Sequence, residues 1–382
     1  MKSKLLPLLI AGATVGAIGT ANAGAPTIYG KANLTLNKYN LENLDSTGQA
    51  QTNQNNWKME SNASRIGIKG DIDVSSGLKA VYKLEYEAFL NSDAKGDGGS
   101  DFKQRNTYVG LQGDSWGTIV FGRHDTPLKL TRVDIEAFHD MPIADANYIL
   151  VGENRLNSVI LYSSPTFAGF ALNVAAAPGE KSGEGVGATD NAKKHDKNDN
   201  GLADSTSVAL TYTIKDTLFL SLAHDQNVLN TNVTQATGQY IIGPVKLGAI
   251  WVKAKENRKG DTITGAGLKG FDSYSLYTDK VGTTNIVDLK EQDGWIANAQ
   301  WSITKEIALK AQYGSSSSEH TNTNLKDTKL RQLAVGADYK LSDASKIFAY
   351  YATVKAEGEK AGLVDVADTT DKTFAVGYEL KF

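Results

Sequence analysis

The chain has 382 residues, no cysteine, 40 basic and 43 acidic side chains, and a net charge of −3. So mild a balance argues against a nucleic-acid binder, which needs a clustered basic excess, and without cysteine no disulfide can hold an exported fold together. The 37 glycines, 16 tyrosines and only 7 prolines, with a mean hydropathy of −0.32, suit many strands and tight turns rather than a helical α/β enzyme.

At the N-terminus Lys2 and Lys4 precede an apolar run, Leu5 to Ile18, interrupted by Pro7, Gly12, Thr14 and Gly16. Ala21-Asn22-Ala23 then gives the small-x-small pattern that a signal peptidase accepts, so residues 1–23 read as a secretory signal peptide cleaved after Ala23. The run is shorter than the ~20 residues a membrane helix requires. Residues 24–382 remain as one domain, and loss of Lys2 and Lys4 leaves 38 bases against 43 acids, about −5. No later stretch approaches 18 consecutive apolar residues, which excludes membrane helices.

Past the signal peptide the pattern has period two. Ile28, Ala32, Leu34 and Leu36 alternate with Lys31, Asn33, Thr35 and Asn37. The same holds for Val208 to Ile214, Ile307 to Tyr313 and Leu333 to Leu341, and for Phe374, Val376, Tyr378, Leu380 and Phe382 at the C-terminus. In a strand this sorts apolar and polar side chains onto opposite faces. Short turns are expected at Gly70–Gly77, Gly113–Gly117, Ser164–Gly169, Lys215-Asp216, Gly243-Pro244, Thr304–Glu306 and Ser342–Ser345. Between them lie long polar segments, about 40–56, 90–103, 124–154, 178–204, 226–237, 255–293, 315–329 and 357–371. Seven turns alternating with eight loops imply sixteen strands with both chain ends on one side.

Polar residues persist along one face of each strand. Aromatics near strand ends, Trp295, Trp301, Tyr313, Tyr339, Tyr378 and Phe382, read as an interfacial girdle on the other. The expected fold is therefore all-β: a sixteen-stranded antiparallel transmembrane barrel with short periplasmic turns and long extracellular loops. Closure pairs every backbone group, which answers the lack of disulfides. A soluble β-sandwich is the competing reading of the alternation alone.

Motifs for catalysis are missing. His124, His139, His195, His224 and His320 show no metal-ligand spacing. His124-Asp125 and His139-Asp140 are adjacent residues whose side chains would point apart. No P-loop, dinucleotide fingerprint or nucleophile elbow occurs. Asp190, Asp196, Asp199 and Gly201 fail the EF-hand spacing. No enzyme activity, cofactor or metal is expected.

Several ordered motifs resemble the trimeric general diffusion porins of Gram-negative bacteria. They are Tyr29-Gly30-Lys31-Ala32, Ser64-Arg65-Ile66-Gly67-Ile68-Lys69-Gly70, Arg105-Asn106-Thr107-Tyr108-Val109-Gly110-Leu111 and Phe121-Gly122-Arg123. Arg155-Leu156-Asn157-Ser158-Val159 and Tyr162-Ser163-Ser164-Pro165 follow the third loop. The resemblance implies an outer-membrane homotrimer whose third loop, about 124–154, folds into each lumen. It implies a basic wall of Lys31, Arg65, Arg105 and Arg155, with Arg123 a further candidate. Strand parity agrees, since Arg65 shares a face with Gly67 and Lys69. Facing that wall the loop offers Asp140 and Asp145, then Glu136 and Asp134. Its tip, Phe138-His139-Asp140-Met141-Pro142, departs from the usual Pro-Glu-Phe-Gly-Gly type. Lys79, Lys83, Glu85 and Glu87 read as solvated lumen wall.

The resemblance further implies passive passage of ions and small hydrophilic solutes, the alternative being a channel selective for sugar or phosphate. Implied partners are outer-membrane lipid, lipopolysaccharide and the barrel-assembly machinery, which would read the terminal Tyr378, Leu380 and Phe382.

Overall fold

The computed structural model describes residues 24–44, 50–91, 100–179, 201–257, 289–320, 325–360 and 368–382. The expected signal peptide and the central parts of the 178–204 and 255–293 segments lie outside these.

Among the described residues eighteen strand segments form a single sheet. Three of them, Ala50–Gln54, Trp57–Ser61 and Arg65–Ser75, pair in succession with β1 (Thr27–Leu44) and count as one interrupted strand, β2. That leaves sixteen. They continue as β3 (Leu78–Ala88), β4 (Phe102–Gly113), β5 (Gly117–Asp125), β6 (Arg155–Ser163), β7 (Phe170–Ala177) and β8 (Ser205–Ile214). Then follow β9 (Leu218–Val228), β10 (Thr231–Ile242), β11 (Val245–Glu256) and β12 (Leu289–Ser302). The last four are β13 (Ile307–His320), β14 (Leu325–Lys340), β15 (Ser345–Lys360) and β16 (Thr369–Lys381). Neighbours are antiparallel throughout, and β1 pairs with β16 from Lys31↔Lys381 to Asn40↔Lys372, so the sheet closes. Closure removes the sheet edges that would otherwise expose backbone donors to lipid.

Burial is inverted relative to a soluble protein. On β1 the polar Asn33, Thr35 and Asn37 are buried while Ile28 and Leu36 are exposed. All six girdle aromatics lie on the outer surface, with Trp295 and Tyr313 in ring contact across the β12–β13 pair. This arrangement is stable only where the outer medium is apolar.

The structure corrects three expected connections, one being 315–329, of which all but 321–324 lies in β13 and β14. The segment 226–237 is no long loop: β9 and β10 are joined by Leu229-Asn230 alone, both at positive φ. Its polar residues are inward-facing strand positions such as Thr231 and Gln235, and a polar inner face reads like a loop. The first turn is Ser76-Gly77 only, because β2 continues through Gly70 to Ser75.

The connection between β5 and β6 turns into the barrel. It holds a short helix, α1 (Pro127–Leu130), capped by Thr126, and a 3₁₀ turn at Ala146–Tyr148 capped by Asp145. Leu128, Phe138, Ile149 and Leu150 are fully buried against Ile250, Ile296, Leu330, Ala334 and their neighbours on the inner wall of β8–β16. A buried side chain of this kind stabilises by roughly 1.5–3 kcal/mol, so the loop carries its own core within the lumen.

Candidate functional site

The site lies where the tip of that loop meets the opposite wall. The loop is held on its far side by inward glutamines that bond its backbone. Gln235 donates to the Leu128 carbonyl at 3.1 Å, Gln312 to Ala144 at 2.7 Å, and Gln332 to Ile143 and Asp145 at 2.6 and 2.9 Å. Gln292 accepts from the Val151 N–H at 2.9 Å. The Tyr350 hydroxyl donates to the Pro142 carbonyl at 3.1 Å. Below the tip the Lys310 ammonium lies 4.8 Å from the Phe138 ring centre and 3.0 Å from Asp338.

Held this way, the tip brings Asp140 to Lys31, with Nζ and Oδ2 2.7 Å apart. Asp140 sits at φ 64°, a conformation uncommon for any side chain but glycine. Asp145 fixes it there by accepting from the Asp140 N–H at 2.7 Å. Burial alone would raise the Asp140 pKa, but the charges of His139, Lys31 and Arg65 hold it well below the usual carboxylate range. Asp140 is thus a fixed negative charge.

The other acids expected on this side are placed differently. Asp145 is buried and caps the 3₁₀ turn through the Asn147 N–H at 2.9 Å. Glu136 is buried, bonded to Arg132 at 2.8 Å and to the Ala146 N–H at 3.2 Å. Asp134 is exposed, and its carbonyl accepts from Lys246 at 2.9 Å. Of the four, Asp140 is the one in salt-bridge contact with the basic wall among the described residues.

His139 sits among carboxylates: Glu136 at 3.6 Å, Asp140 at 3.5 Å, and Asp145 and Glu153 both at 3.7 Å. Burial would lower its pKa, but the charges of Asp140, Glu136 and Asp145 raise it to about 10. Two sets, Glu136-His139-Glu153 and His139-Asp140-Asp145, have ligand atoms within 4.8 Å of one another. A metal ion there would first have to displace the imidazolium proton. The ring serves instead as the counter-charge that lets these acids coexist.

On the wall, Arg105 and Arg155 have carboxylates of their own. Arg105 bonds Glu85 at 2.9 Å and Glu87 at 3.2 Å. Arg155 pairs with Asp125 at 2.9 Å and donates to the Asn106 side chain at 2.8 Å. Asn106 in turn donates to Asp125 at 2.9 Å. Arg105 and Asn106 both face the lumen because the β3–β4 register shifts between Leu84 and Tyr86, and such a bulge re-aims side chains. Arg123 bonds the side chain of Asn157 and the Gln104 carbonyl. Arg65 stands beside Lys31 in the β1–β2 register. Sequence reasoning left Glu85 and Glu87 as plain wall and missed Asn106 and Asp125. The alternation Lys83-Glu85-Glu87, one strand from Arg105, was the available signal for the first pair.

The loop tip thus meets the wall through the Lys31–Asp140 ion pair, beside a partly neutralised basic wall, and the two sides are fixed by separate scaffolds.

Comparison with known proteins agrees with this architecture. A family model for the Gram-negative porin matches residues 9–359. The chain is 32 % identical over 188 residues to the major outer membrane protein P.IB of Neisseria gonorrhoeae, covering 48 % of this chain and 50 % of that protein. It therefore spans about half the length of that relative. It is 26 % identical over 314 residues to an outer membrane porin protein of Bordetella pertussis, covering 76 % of each. Among solved structures, an anion-selective porin from Comamonas acidovorans superposes with a TM-score of 0.64 at 20 % identity, covering 94 % of this chain and 99 % of that one. OmpF of Salmonella typhi gives 0.63 at 15 % identity over 94 % and 97 %. At such identities the structural likeness speaks for the fold. With the family model matched over most of its length and the closed sixteen-stranded barrel behind it, the chain belongs to the Gram-negative porin family.

Proposed function

We propose that the protein is an outer-membrane channel for passive diffusion of ions and small hydrophilic solutes. The observation that carries this reading is the inward loop setting Asp140 against Lys31 beside a polar, charged wall. A closed barrel filled by a core would have no use for such a charge pair. In this reading Lys31, Arg65, Arg105, Arg155 and Arg123 form the basic side of the constriction and Asp140 its acidic side. Asp145 and Glu136 act through the loop, by holding its tip.

The same reading includes cleavage after Ala23, assembly as a homotrimer in outer-membrane lipid with lipopolysaccharide, and insertion by the barrel-assembly machinery through Tyr378, Leu380 and Phe382. The family membership and the exposed apolar barrel surface support it.

Planar-bilayer recording is the test. Purified protein is expected to give discrete ohmic steps in KCl. Arg105→Ala removes a lumen cation and leaves Glu85 and Glu87 without it, so conductance rises and the reversal potential in a salt gradient moves toward cations. Unchanged values in that variant would remove the basic side from this assignment.

A further inference from the structure

Two lysines stand directly opposite each other on the short-turn side of the constriction. Lys69 of β2 and Lys83 of β3 are register partners, four residues along β2 from Arg65, or about 13 Å at the rise of a strand. Both ammonium groups sit over the ring of Tyr29, at 5.3 and 5.7 Å from its centre. The ring itself lies over Gly67, where an added Cβ would meet Tyr29 Cζ at 2.4 Å. Like charges directly opposite on antiparallel strands destabilise the pair.

Two other pairs of opposed cations in this barrel are compensated. Arg331 and Lys355 are register partners and share Glu357. Lys31 and Lys381 are partners too, and each has its own acid, Asp140 and Glu379. Among the described residues the one carboxylate within salt-bridge distance of Lys69 or Lys83 is Glu85, 3.1 Å from Lys83. Glu85 also accepts from the Tyr29 hydroxyl at 2.7 Å and from Arg105 at 2.9 Å. Glu85 is thus shared among three donors. Among the described residues Lys69 has no carboxylate partner.

We infer that Lys69 and Lys83, with Tyr29 beneath them, form a binding station for a tetrahedral oxyanion, inorganic phosphate or a phosphate ester, just past the constriction. Several acceptor oxygens on one doubly charged group can bridge two ammonium groups at once, which a single chloride does less well. The ring places no hydroxyl in the way, because Glu85 holds it aside. Arg65, up the same strand face, links the station to the aperture. The inference rests on the channel reading above.

The test is block of single-channel KCl current by inorganic phosphate, and in a second arm by glycerol phosphate, added on either side of the membrane. Wild type is expected to show saturable block at millimolar phosphate. In the double variant Lys69→Gln/Lys83→Gln the half-blocking concentration is expected to rise about tenfold, while Lys79→Gln, an inward lysine of β3 with its own acids, behaves as wild type. The two arms separate the free ion from an ester. Phosphate-insensitive wild-type current, or equal block in the double variant, overturns the station. Absence of KCl current in wild type would instead overturn the channel reading itself.

Discussion

At the scale of single residues, the tip of the third loop depends on one imidazolium. His139 is held charged by Asp140, Glu136 and Asp145, with its pKa raised to about 10 against an ordinary 6.5. A folded-state pKa above the unfolded one gives stability that is complete below pH 6.5 and lost as pH rises through 10. His139→Gln is therefore expected to show, at pH 7, the noisy open-channel current that wild type shows only above pH 10. Current noise recorded from pH 7 to 11 checks this; identical noise in both proteins at pH 7 would count against it. His139 was legible in the sequence only as a histidine next to an aspartate. Its role comes from Glu136, Asp145 and Glu153, brought together by the 3₁₀ turn at Ala146–Tyr148, which no periodicity announces.

At the scale of elements, the loop behaves as part of the wall. Gln332 bonds two consecutive stretches of it through the Ile143 and Asp145 carbonyls, and Ile143 is at φ 63°, costly for a β-branched residue. Gln332→Ala leaves both carbonyls buried without that donor, a loss on the order of 1–3 kcal/mol. Faster hydrogen exchange over residues 141–151, with the strand amides unchanged, is the expected readout. Exchange rising equally in the strands would mean a global rather than a local effect. These hooks explain why the site was half visible from sequence. Strand parity placed Lys31, Arg65 and Arg105 on the inner face because a strand's geometry is periodic. The loop's acids had no such guide, and the glutamines of β10, β12, β13 and β14 look in sequence like any inward polar residue. The β9–β10 hairpin was misread for the same reason.

At the scale of the whole molecule, closure is concentrated at one seam. Gly30 exchanges backbone hydrogen bonds with Phe382, at 2.8 and 3.1 Å, and the Phe382 ring covers the Gly30 Cα so closely that a Cβ would meet it at 2.3 Å. Gly30→Leu is expected to push this ring off and slow β1–β16 pairing. The folded, heat-modifiable band on a semi-native gel should fall several-fold relative to wild type, with total protein unchanged. A wild-type yield would show that the seam tolerates a displaced ring. The sixteen-strand count, the girdle and the closing strand were all readable beforehand, since lipid outside and water inside impose alternation on every strand.

The docking of the loop on one side of the lumen has an evolutionary consequence. The wall of β8–β16 is committed to a buried core, so its inward residues drift under the rules of a globular interior, where a charge or a lost methylene is penalised. On the facing wall the stretch of β2 toward its short turn, where Lys69 and Asp73 are exposed, answers to no such rule. Divergence in what passes through the pore has an open route there, with new charges entering at little cost to folding.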